Sequence, residues 1–123
     1  MDTIVACATP WGRSAIALVR LSGPDCREIL KGFCVPRGGF PPPRRSRLCD
    51  LVEAEEVFDE GLLTFFESPA SYTGEDLAEI TCHGNPLVVE RLLAAAVGSG
   101  ARMADPGEFT RRAFLHGRMD LTR

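Results

Sequence analysis

"SYTGEDLAEITCHGN", residues 71–85, is the stretch whose period decides the fold. From Leu77 onward the residues alternate, with Ala78, Ile80 and Cys82 facing one way and Leu77, Glu79, Thr81 and His83 the other. Alternation of this kind marks a strand with one face in the core. Glu79 and His83 share the second face. At roughly 3.3 Å per residue their backbones stand about 13 Å apart, too far to ligate one zinc ion or form a tight acid–base pair. The stretch therefore reads as the wall of a pocket, with a polar turn, a carboxylate on a strand, and Gly84 at the mouth of a helix.

On the N-terminal side, "TIVACAT" (3–9) and "AIALVRL" (15–21) are two apolar, partly β-branched runs separated by the turn residues "PWGRS", which predicts two interior strands. "SGPDCREILKGF" predicts a short helix with Pro24 in its first turn and Cys26, Ile29, Leu30 and Phe33 buried. "PRGGFPPPRRSR" (36–47) is a surface loop, because prolines remove backbone donors and glycines resist ordering. "LCDLVEAEEVFDEGLLTFFESP" predicts two strands around a turn at "FDEG", with Asp50, Glu53, Glu55, Glu56, Asp59 and Glu60 as a solvated face.

C-terminal to the opening stretch, Asn85 caps and Pro86 starts a helix carrying Val88, Val89, Leu92, Leu93 and Ala96 at helical spacing, ended by "GSG" at 98–100. "DPGEFTRRAFLHG" predicts another, with Asp105 as cap, Glu108 completing a capping box, and Phe109, Ala113 and Phe114 as the buried side. Residues 1–119 read as one α+β domain with a mixed β-sheet and a few packed helices, and 120–123 as the cap and first turn of another helix.

Composition narrows the class. A chain of 123 residues, 45% hydrophobic and 25% charged, supports one globular core. A net charge of -3 argues against a general nucleic-acid surface. Five cysteines without a C-x-x-C pair indicate neither a disulfide framework nor a zinc knuckle, and buried reduced thiols are the expectation. The N-terminus lacks the basic start and long apolar core of a secretory signal, and no apolar run has membrane-spanning length, so a cytoplasmic protein with no membrane association is expected.

Arg20 at the end of an apolar strand needs a facing anion, either an internal carboxylate or a ligand. Glu79 poses the same choice with the opposite sign. His83 beside Gly84 is a packed or turn-bonded histidine or a catalyst; Cys82, on the apolar side, is inert. Arg111, Arg112 and Arg118 cluster at a helix end, solvated or, for Arg118 after Gly117, aimed at a pocket. No G-x-x-x-x-G-K-[ST] phosphate loop occurs.

"TIVACATPWGRSAIALVRLSGP", "SYTGEDLAEITCHGN" and "RMADPGEFTRRAFLHGRMDLT" together, in this order over residues 3–122, closely resemble the N-terminal domain of the MnmE (TrmE) family of tRNA-modification GTPases. The resemblance implies a fold similar to the folate-binding domains of aminomethyltransferases, 5-formyltetrahydrofolate as ligand, and a homodimer. No catalytic residue and no metal are expected in this part. Full-length members add helical and GTPase domains and act with an FAD-dependent MnmG-type partner on the wobble uridine of tRNA. By the same resemblance Arg20, Glu79 and Arg118 fall on folate-contacting positions, and Tyr72, Thr73, Gly74 and His83 shape the pocket rim. A structural homodimerisation module without ligand is the alternative. A third reading is direct tRNA contact through Arg37, Arg44, Arg45 and Arg47.

Overall fold

The structure, a computed structural model, describes residues 1–117. These form β1 (Ile4–Cys7), β2 (Ile16–Ser22), α1 (Cys26–Leu30), β3 (Cys34–Pro36), β4 (Ser46–Glu53), β5 (Glu56–Phe66), β6 (Leu77–His83), α2 (Pro86–Gly98), β7 (Arg102–Met103) and α3 (Glu108–Leu115). The strands make one sheet in the order β3-β4-β5-β6-β2-β1-β7. Neighbours are antiparallel except β1 and β7, so the sheet is mixed and the α+β expectation holds.

The alternation in β6 separates the two faces as its sequence predicts. Ala78, Ile80 and Cys82 join Ala17, Val19 and Leu21 of β2 and Leu63 and Phe65 of β5 in a core that α1 and α2 complete. The other face carries Ile16, Leu18, Leu48, Leu62, Thr64, Glu79, Thr81 and His83, all exposed or half-buried, and Leu77, which is buried. α2 begins as expected, with Asn85 Oδ1 accepting from the Leu87 N–H at 2.9 Å and Pro86 in the first turn. Its buried line runs through Val89, Leu92, Ala95 and Ala96.

Four local expectations are corrected. The β4–β5 turn falls at Ala54 and Glu55, with φ of 50° and 65°, rather than at "FDEG". Two successive left-handed residues match the twist of a two-residue hairpin, and the long-range ladder imposes them without glycine. Gly61 lies inside β5, where an added Cβ would stand 2.4 Å from the Thr81 carbonyl oxygen; strand approach, not turning, requires glycine there. Pro24 precedes the α1 cap residue Asp25 instead of occupying the first turn. The segment 36–47 is a loop in its middle, but its ends belong to β3 and β4.

The fourth correction concerns α3. Its N-cap is Gly107 at φ 74°, and the Asp105 side chain does not cap it. Half of the expected box forms, since Glu108 Oε1 accepts from the Asp105 N–H at 2.8 Å. The buried residues are Glu108, Arg112 and Ala113, while Phe114 is exposed and Phe109 half-buried. The helix turns its charged side inward because buried carboxylates and arginines meet it there.

Candidate functional site

Arg20 and Glu79 are register partners on β2 and β6. On the uncovered face Arg20 Nη2 and Nε donate to one oxygen of Glu79, Oε2, at 2.7 and 3.1 Å. Each side chain is 26% exposed, so both remain within reach of solvent or ligand. Among the described residues Glu79 Oε1 accepts no hydrogen bond. A half-exposed cross-strand pair of this kind contributes only about 0.2–1 kcal/mol to stability. Small and hydroxyl residues surround it, since Ala6 pairs with Arg20 and Thr64 with Glu79.

Beside the pair opens a cavity of about 380 Å³ lined by Arg20, Ala6, Cys7, Phe109 and Thr110. Tyr72 borders the pair from the polar turn. Its ring centre lies 5.8 Å from the Arg20 guanidinium carbon, and its hydroxyl is 3.0 Å from Thr110 Oγ1, joining the turn to α3.

The "TGED" turn is anchored by an ionic cluster in which Arg112, Glu75 and Glu108 are buried and Asp2 and Arg102 are exposed. Arg112, 3% exposed, donates to both Glu75 oxygens at 3.2 and 3.3 Å, to Glu108 Oε2 at 3.2 Å, and to Asp2 Oδ1 and the Asp2 carbonyl at 2.7 Å. Arg102 adds bonds to Glu108 at 2.7 Å and to Asp2 at 2.6 Å. Ser22 Oγ donates to Glu75 at 2.8 Å and meets Thr73 Oγ1 at 2.7 Å. The Arg102 hydrogen bond outweighs burial and holds the Glu108 carboxyl at about 2. Asp2 is likewise well below the usual carboxylate range, chiefly through Arg102. Two arginines against three carboxylates satisfy the cluster, and no buried side-chain polar atom among the described residues lacks a partner.

The sequence-predicted residues divide accordingly. Arg20, Glu79 and Tyr72 come together on the uncovered face. Thr73 is fully buried beneath the turn, a support rather than a rim residue, because its hydroxyl is taken up by Ser22. Gly74, at φ 81°, lines a separate cavity of about 420 Å³ with Met1, Glu75, Asp76 and His116. His83 is bonded across the sheet to β5: its Nδ1 lies 2.7 Å from Asp59 Oδ1, and its backbone N–H donates to Asp59 Oδ2 at 3.0 Å. Asp59 is thereby drawn out of the expected solvated acidic face, its side chain only 9% exposed. Arg118 lies outside the described residues.

Cys82 is buried, and burial pushes its thiol up to about 11, in keeping with an inert role. Of the loop arginines, Arg37 pairs with Asp50 and Glu60, and Arg47 donates to the carbonyls of Gly38 and Gly39, so both are committed internally. Sequence reading missed Arg112, Glu108 and Glu75 as a unit. The i, i+4 spacing of Glu108 and Arg112 was the one local signal for it. Among the described residues no cluster suits a metal ion, and no helix is long and apolar enough to cross a membrane.

A mixed sheet with α1 and α2 packed on one side, and with a charged pair and shallow cavities on the other, defines an α+β domain. A family model described as "GTP-binding protein TrmE N-terminus" matches residues 3–118, and the chain belongs to this family. It is 54% identical over 122 residues to a tRNA modification GTPase MnmE of Thermotoga maritima, covering 99% of this chain and 27% of that protein. To the MnmE of Akkermansia muciniphila it is 54% identical, and to that of Aquifex aeolicus 47%, each over 98% of this chain and 27% of the relative. The chain thus corresponds to the N-terminal region of MnmE and spans about a quarter of the length of these relatives.

Proposed function

We propose that this domain binds a reduced folate, 5-formyltetrahydrofolate, on its uncovered face, and that the same face joins a second copy in a homodimer. The observation that carries the reading is the Arg20–Glu79 pair, which leaves Glu79 Oε1 open beside a cavity. A pterin presents an amino group and a ring N–H side by side. One carboxylate accepts both, through Oε1 and the remaining lone pair of Oε2, while Arg20 keeps the carboxylate turned outward. Arg20 has further N–H donors for the carbonyl and formyl oxygens of the ligand. Arg118 is the third proposed contact.

In the whole protein this domain serves a GTPase that modifies the wobble uridine of tRNA in the cytoplasm with an FAD-dependent MnmG-type partner; the names of its relatives support the tRNA-modification part of this reading. The test is calorimetric titration of 5-formyltetrahydrofolate into the chain and its Glu79→Gln variant, with thermal melts of both. Gln presents a donor where the pterin also donates, so the expected result is roughly a hundredfold loss of affinity, at about 1.4 kcal/mol per decade, with an almost unchanged melt. Unchanged affinity would refute the ligand role of Glu79. The internal pairing of Arg20 with Glu79 favours one second reading, a homodimerisation module without ligand, for which neither protein would bind folate.

A further inference from the structure

The uncovered face continues past the Arg20–Glu79 pair to a second cavity of about 400 Å³, lined by Arg44, Phe66, Ala70, Ser71 and Tyr72. Its position follows from the ladder. Thr64 is opposite Glu79 and Phe66 opposite Leu77, so Phe66 lies two residues, about 7 Å, along the same face of β5 from Thr64. Tyr72 connects the two places, since its ring lies near the Arg20 guanidinium and also lines this cavity. Arg44 is fixed at the sheet end by its backbone N–H, which donates to the Phe65 carbonyl at 2.8 Å, and it takes a left-handed φ of 66°. Its guanidinium forms no ion pair among the described residues, unlike that of Arg37 in the same loop.

Two aromatic rings followed by an arginine without a carboxylate suit an aryl group that ends in acids. We infer that this cavity receives the aminobenzoyl-glutamate end of the folate, with the benzoyl ring against Phe66 and Tyr72 and the glutamate carboxylates on Arg44. The inference rests on the folate reading above and extends it, because it makes Arg44 the residue that selects an anionic tail. Arginine suits this role better than lysine, since its planar fork meets a carboxylate with two parallel hydrogen bonds.

The test titrates two ligands into the chain: 5-formyltetrahydrofolate and its tail diamide, which keeps the pterin and benzoyl groups but has no tail charge. The chain is expected to bind the dicarboxylate at least about tenfold more tightly. Arg44→Gln should abolish that preference by weakening only the dicarboxylate, and Arg44→Lys should restore part of it. Glu79→Gln should weaken both ligands by the same factor and leave the preference standing. Because the Arg44 side chain is exposed and its backbone bond is kept in the variant, an unchanged melt is expected as the folding control. Equal binding of both ligands by the unmodified chain, or a preference that survives in Arg44→Gln, would overturn the role of Arg44 while leaving the folate site intact. Absence of binding of either ligand would remove the folate reading and this one with it.

Discussion

Arg112 and Glu108 are buried at 3% exposure each, and what they stabilise depends on both charges remaining. The folded carboxyl of Glu108 sits at about 2 against an ordinary 4.5, so the folded state holds its proton less tightly than the unfolded chain does. Its contribution is therefore complete above about 4.5 and is lost as the pH falls through about 2. Glu108→Gln should lower the melting temperature at neutral pH and flatten the decline between those two values. An unchanged acid limb in thermal melts from pH 6 to 2 would show that Glu108 does not set it. Arg112→Met should be more severe, on the order of 3–5 kcal/mol in urea unfolding, since it strands Glu75 and Glu108 without their common partner. None of this was legible from residue type: Arg112 and Arg111 are neighbours of the same kind, yet one is buried and the other exposed. Glu79 and Arg20 were legible as a choice between internal pair and ligand contact, because period two fixes their face but not what stands opposite.

Elements with strong local chemistry follow the sequence closely. α2 is announced by Asn85 and Pro86 and ended by glycines, and β6 by its alternation. The β4–β5 hairpin is different, because Ala54 and Glu55 carry no turn signature while Gly61 carries a false one. A glycine required by the approach of a neighbouring strand looks, in sequence, like a glycine required by a turn. Gly61→Ala tests the distinction: the new methyl group would press on the Thr81 carbonyl of β6, costing about 1–3 kcal/mol and loosening amide protection in β5 and β6 together. A turn glycine at this position would leave β6 protection unaltered. β3 and β7, three and two residues long, were unreadable because so short a strand has no period of its own.

Across the whole molecule, α1 and α2 screen one side of the sheet, and Ile16, Leu48 and Leu62 are exposed on the other, at 62%, 51% and 42%. A two-fold homodimer using this face would bring the three residues toward their copies. Leu62→Arg is then expected to convert a dimer into a monomer by sedimentation equilibrium, with little change in melting at low protein concentration. If the unmodified chain sediments as a monomer at high concentration, the proposed pairing fails.

The ionic cluster also has a history in time. Asp2 is bonded to Arg112, 110 positions later, and Glu75 to the same arginine. At a synthesis rate of about 5–20 residues per second, Asp2 is made roughly 6–22 s before the guanidinium that neutralises it. Glu75, 37 positions before Arg112, waits about 2–7 s at the same rate, and until then the strands around the two acids are held by their ladders and the apolar core. Arrival of α3 is therefore what neutralises the two acids, and a ribosome stalled before Arg112 would display Asp2 and Glu75 without the cation they share.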